Sequence, residues 1–120
     1  MPGIVPALHA APLRDRDGLL LGRVEDLLFD AVTNRPAWVV VRLGDGRRTV
    51  APAGRSRPGL EGLRVAVDAG TVQDCPVTLA GGSVLQEHLV AASRHYGVRR
   101  FARGGAFTSA GPALDAVRAA

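Results

Sequence analysis

The chain of 120 residues has no lysine, one cysteine, one tryptophan, one tyrosine and three phenylalanines. With Cys75 alone, neither an internal disulfide nor a cysteine-rich zinc cluster can form, which fits a reducing cytoplasm. Aromatics are 4% of the chain, so the core has to be built from Val, Leu and Ala. A domain this small buries a limited share of its surface, and pairing would widen its stability margin. No stretch approaches the roughly 20 apolar residues of a membrane-crossing helix. Residues 1–12 also lack the basic start and apolar run of a secretion signal. A cytoplasmic location without a membrane span is expected. The all-arginine basic side, alongside abundant Ala, Gly, Val and Leu, fits a GC-rich coding sequence and is weak ground for arginine-specific recognition.

What is present reads as one globular domain, 47% hydrophobic and 22% charged. Fifteen glycines and eight prolines favour short strands joined by turns over a helical bundle. Residues 1–12 read as an N-terminal arm, 13–97 as the ordered domain and 98–120 as a basic flexible tail. Asp17-Gly18 favours a tight hairpin turn, and Gly22 marks a bulge. Arg23 to Asp30 reads as a strand with an irregularity near Asp26, and Thr33 to Pro36 as a turn. Ala37 to Leu43 is a central strand with Val39, Val41 and Leu43 on one face and Trp38, Val40 and Arg42 on the other. Gly44-Asp45-Gly46 turns the chain into a partner strand, Arg47 to Pro52. Leu60 to Asp68 shows the cleanest alternation, and Thr71 to Gln73 reads as a short strand ended by Cys75-Pro76. One helix is expected over Ser83 to Tyr96, with Ser83 as cap, Gln86 reaching back, and Gly97 as stop. Leu85, Leu89, Ala92 and Tyr96 share the face that should dock on the sheet.

The series Leu13 to Gly18, Gly22-Arg-Val24, Asp26 to Asp30, Thr33-Asn34-Arg35 and Val39-Val40-Val41 resembles the opening of a PRC-barrel domain. That family includes the cytoplasmic domain of the photosynthetic reaction-centre H subunit and the C-terminal half of a ribosome-maturation factor. Thr49-Val50-Ala51-Pro52 is similar to the family's next strand. Val72 to Pro76, the Ser83 helix and His95-Tyr96-Gly97 resemble stand-alone bacterial members. The resemblance covers roughly residues 13–97. It implies a mainly β fold, a small, strongly curved barrel with one C-terminal helix, acting as a scaffold or binding module without a cofactor. The H subunit's membrane helix and the maturation factor's N-terminal domain have no counterpart in these residues, so neither photosynthesis nor ribosome assembly is the first expectation.

The residues themselves offer little chemistry. Asp15, Asp17, Glu25, Asp26 and Asp30 do not follow a calcium-loop pattern and read as turn and strand-face residues. His88 and His95 would lie about 10 Å apart along a helix, too far to share a zinc ion, and His9 is remote in sequence. Cys75 has no helix N-terminus or basic cluster beside it in sequence to activate the thiol. No nucleophile elbow or phosphate-binding glycine loop occurs. No catalytic residue, cofactor or metal site is expected, and the chain reads as a non-enzyme.

The leading expectation is therefore a self-associating interaction module, a homodimer that also engages an unidentified protein. In it, the Trp38, Val40 and Arg42 strand has one face covered by the helix and the other by a second chain. The alternative is a nucleic-acid or ribosome-associated binder. It would use Arg94, Arg99, Arg100 and Arg103, interleaved with Tyr96 and Phe101. The charge has a definite place: residues 1–93 hold ten arginines and ten acids, whereas residues 94–120 hold five arginines against Asp115 alone. The whole formal surplus of +4 lies there.

Overall fold

A computed structural model describes residues 10–30, 33–53, 57–59, 62–81, 84–98, 107–109 and 117–118. The chain is mainly β. Strands β1 (Pro12–Arg14), β2 (Leu20–Asp30), β3 (Pro36–Leu43), β4 (Arg48–Pro52), β5 (Arg57–Gly59) and β6 (Gly62–Arg64) precede a short helix α1 (Ala69–Gln73). Strand β7 (Val84–Leu85) leads into helix α2 (Gln86–Tyr96), and β8 (Phe107–Ser109) and β9 (Val117–Arg118) follow it. The main sheet runs β4-β3-β2-β1-β6-β5, with β8 also on β2, while β7 and β9 pair separately. Among the described residues no pairing joins β4 to β5, so the sheet is open. The segment read as a flexible tail thus contributes β8 and β9, and β1 already begins at Pro12, inside the expected arm.

Strand β2 organises the sheet. Its start pairs with β1, its far end with β8, and β3 follows it along nearly its whole length. Only glycine fits at position 22, because a Cβ there would fall on the Arg42 carbonyl. Register shifts between Val24 and Asp26 and between Leu28 and Phe29 bend the strand. The consecutive Leu27 and Leu28 are both buried, each in a different apolar cluster.

Those clusters lie on opposite faces of β3. One gathers Val39, Val41 and Leu43 with Leu13, Leu21, Val24, Leu63 and Val65. The other gathers Trp38 and Val40 with Val50, Cys75, Val77, Leu79, Leu89 and Ala92. The segment 75–79 has no assigned strand, yet it buries Cys75, Val77 and Leu79 and exposes Pro76 and Thr78, so it lies over the sheet in strand-like fashion.

Three expectations change. Of the expected stretch 60–68, the described residues 62–68 form a strand only at Gly62–Arg64, although Val65 N–H to Arg14 C=O and Arg16 N–H to Val67 C=O continue its contact with the β1 hairpin. Residues 71–73 are helical because Asp68 accepts from both the N–H and the hydroxyl of Thr71, closing a helix N-terminus. Helix α2 starts at Gln86, and the N-cap position is Leu85, whose N–H donates to His88 Nδ1 at 3.0 Å. Ser83 lies outside the described residues. Gly97 does end the helix, in the left-handed region at φ 71°.

Candidate functional site

The first expected surface is Trp38, Val40 and Arg42 on β3. Trp38 and Val40 are buried within the chain itself, 1% and 0% exposed. Their cover is the segment 75–79 together with α2. Tyr96 fastens this cover: its ring lies 6.3 Å from that of Trp38, and its hydroxyl donates to the Val50 carbonyl at 2.8 Å. Burial, with Cys75 alongside, pushes the Tyr96 hydroxyl well above the usual phenol range, so it stays a donor. The outer edge of β4 is occupied in the same way. Leu79 N–H donates to Arg48 C=O at 2.9 Å, and Thr49 Oγ1 donates to Val77 C=O at 2.7 Å. The helix cover expected for one face of β3 thus lies on the Trp38 and Val40 side, where the polypeptide after α1 folds back over both residues. Trp38 Nε1 is left buried without an acceptor.

Arg42 extends beyond this cover and remains exposed. It stands opposite Arg23 on β2 and Arg48 on β4, a row of three like charges that is unfavourable unless an anion intervenes. Glu25 supplies one, at the shifted register of β2. Its carboxylate accepts from Arg42 Nε at 2.9 Å and Arg48 Nε at 2.6 Å, while Arg48 Nη1 also donates to the Gly81 carbonyl. Partial burial disfavours the Glu25 charge, but the two guanidiniums outweigh it and hold the carboxyl below its ordinary range.

Of the second expected surface, Arg94 is exposed on the last turn of α2. Arg99, Arg100, Phe101 and Arg103 lie outside the described residues. The described histidines are engaged in structural hydrogen bonds: His88 at the start of α2, and His95 Nε2 with the Thr71 carbonyl at 2.7 Å, edge-on to Tyr96. Cys75 is buried. Among the described residues no three His, Cys, Asp or Glu side chains converge as a metal site, and no helix is long and apolar enough to cross a membrane. Asp15, 1% exposed, is a structural clamp. Burial opposes its charge, yet N–H donors of Leu19, Ala69 and Asp17 hold its carboxyl below the normal range, tying the β1–β2 hairpin to α1.

One surface lies outside these expectations. Leu19 and Leu20, each 61% exposed, are the exposed large apolar side chains of the described residues. Leu20 borders a cleft of about 420 Å³ lined also by Leu21, Leu43, Gly44, Asp45, Arg47 and Gln73. The signal in the sequence is the run Leu19-Leu20-Leu21 after a hairpin turn: alternation along β2 buries Leu21 and leaves Leu20 on the open face, while Leu19 precedes the strand. Compared with known proteins, the chain matches no family model and no curated sequence.

Proposed function

We propose that this chain is a non-enzymatic interaction module of the PRC-barrel type, working in the cytoplasm and associating with itself and with a further protein partner. The observation that carries the reading is the pair of exposed leucines on the β1–β2 hairpin beside an open cleft, on a surface otherwise free of large exposed apolar side chains among the described residues. The resemblance over residues 13–97 supplies the fold-level part. The bent β2, with β1 and then β8 pairing along it, suits the strongly curved sheet of such a barrel. The described side chains with catalytic potential, Asp15, Cys75, His88 and His95, are buried or hydrogen-bonded in structural roles. Light scattering over a concentration series tests the reading: a dimer is expected, and a strict monomer up to ~1 mM, a range that reaches weak millimolar contacts, overturns it.

The placement of the formal +4 after residue 93 supports a second reading, an anionic nucleic-acid partner for Arg94 and the arginines that follow it. RNA and DNA affinity measured across a salt series decides this one. A flat salt response, with no loss on deleting residues 98–120, removes it.

A further inference from the structure

We infer that the chain pairs with a second copy of itself through the β1–β2 hairpin and the cleft beside it. This inference rests on the self-association proposed above and gives it an address. The strand edge at β4 is already taken by segment 77–79 and Tyr96, so pairing by strand addition there is blocked, and the hairpin offers side chains instead. Leu19 and Leu20 supply the apolar part, and Leu20 is at once a protruding side chain and a wall of the cleft. A surface that offers both the knob and the hole is suited to a twofold contact, in which each copy gives what the other receives.

Charge selects the occupant. Asp45 and Arg47 line the same cleft, and neither forms an ion pair among the described residues. The Asp45 carboxylate accepts the Arg47 backbone N–H, whereas the Arg47 guanidinium donates to the Cys75 carbonyl and keeps a buried Nε without an acceptor. A twofold axis through the cleft sets each Asp45 against Arg47 of the other copy, so one operation answers both charges. A purely acidic or purely basic peptide would answer one and oppose the other.

The test is sedimentation equilibrium of the full chain and three variants. Wild type is expected to dimerise, and Leu20→Glu to weaken dimerisation at least about tenfold while the melting temperature of the monomer is unchanged. Asp45→Arg should weaken it similarly, because the introduced guanidinium would then face Arg47 of the other copy. Arg47→Glu should do the same, and mixing these two variants should restore a mixed dimer, since every contact then joins opposite charges. If Arg47→Glu does not fold, Leu20→Glu and Asp45→Arg decide the matter. A wild-type dimer indifferent to both overturns this interface and leaves the self-association reading standing, whereas a monomeric wild type overturns both. Weakened single variants that fail to form the mixed dimer overturn the charge pairing.

Discussion

The two faces of β3 are buried by different means. On one face Val39, Val41 and Leu43 meet residues from neighbouring strands, an aliphatic cluster walled by hydrogen-bonded sheet. On the other, Trp38 and Val40 lie under a helix and a segment with no assigned strand, and polar groups are interleaved there: the Tyr96 hydroxyl and the unpartnered Trp38 indole N–H. The first layer is held by backbone ladders that cannot slide independently. The second is a cover pinned at a few points. This contrast teaches that the apolar character of both faces of a strand does not call for a second chain, because a short chain can supply its own lid.

The largest expected effect is on the covered face. Trp38→Ala removes the biggest buried side chain and should cost about 3–5 kcal/mol, read from urea unfolding. A loss near zero would mean that the cover collapses freely onto β3. The comparison is sharpened by Leu13→Ala and Leu89→Ala, both of them 0% exposed residues. Such truncations cost about 2–5 kcal/mol, the spread reflecting how well the site relaxes. Leu13, enclosed by β2 and β6, should fall in the upper half, and Leu89, on a helix that can shift inward, in the lower half. The reverse order would contradict the rigid-wall and pinned-lid distinction.

Asp15→Ala comes next. It strands three N–H groups, those of Asp17, Leu19 and Ala69, that the carboxylate now satisfies, and a loss of about 1–3 kcal/mol is expected. The pH dependence has a defined sign. The folded-state pKa is lowered from 3.8, so the carboxylate's contribution is complete above that value and is lost as pH falls below it toward the folded-state value. Wild type should therefore lose stability on acidification below about pH 4 more steeply than Asp15→Ala. Parallel acid profiles for the two proteins would remove Asp15 as the cause.

Much of the strand framework is legible in the sequence, and so is the docking face of α2; helix α1 and the covering segment 75–79 are not. Val39, Val41 and Leu43 alternate with Trp38, Val40 and Arg42, and Gly97 stops a helix, because period and left-handed geometry are local properties. Helix α1 is only five residues long and depends on Asp68 binding Thr71, a cap that a β-branched run Thr71-Val72 disguises as a strand. Cys75, Val77 and Leu79 do alternate, but Pro76 reads as a terminator, and what such a segment covers is a long-range property. The interaction residues divide in the same way. Arg42 is surface-exposed, as its charge indicates, whereas the burial of Trp38 and Val40 on the same face depends on chain some 40 to 60 residues further on. Leu19 and Leu20 stand out in the sequence only as part of a leucine run, and which member of the run takes the core face is fixed by the pairing of β2 with its neighbours.

Tyr96→Phe is the smallest change and the most selective probe of the two faces. Tyr96 packs against both clusters, and Phe would retain most of that contact, so only the hydroxyl bond to the Val50 carbonyl is lost. A typical hydrogen bond contributes about 0.5–1.5 kcal/mol, and a global loss near 1 kcal/mol is expected. The distribution of the loss matters more than its size. If Tyr96 pins the lid to β4, the amides of α2 near Ala92 and Ser93 should exchange faster through local opening, while those of Val39 and Val41, shared with β2 and β4 ladders, should change only as much as global stability does. A uniform acceleration across both sets would show that lid and sheet open as a single unit, and the distinction between the two faces would then be one of composition alone.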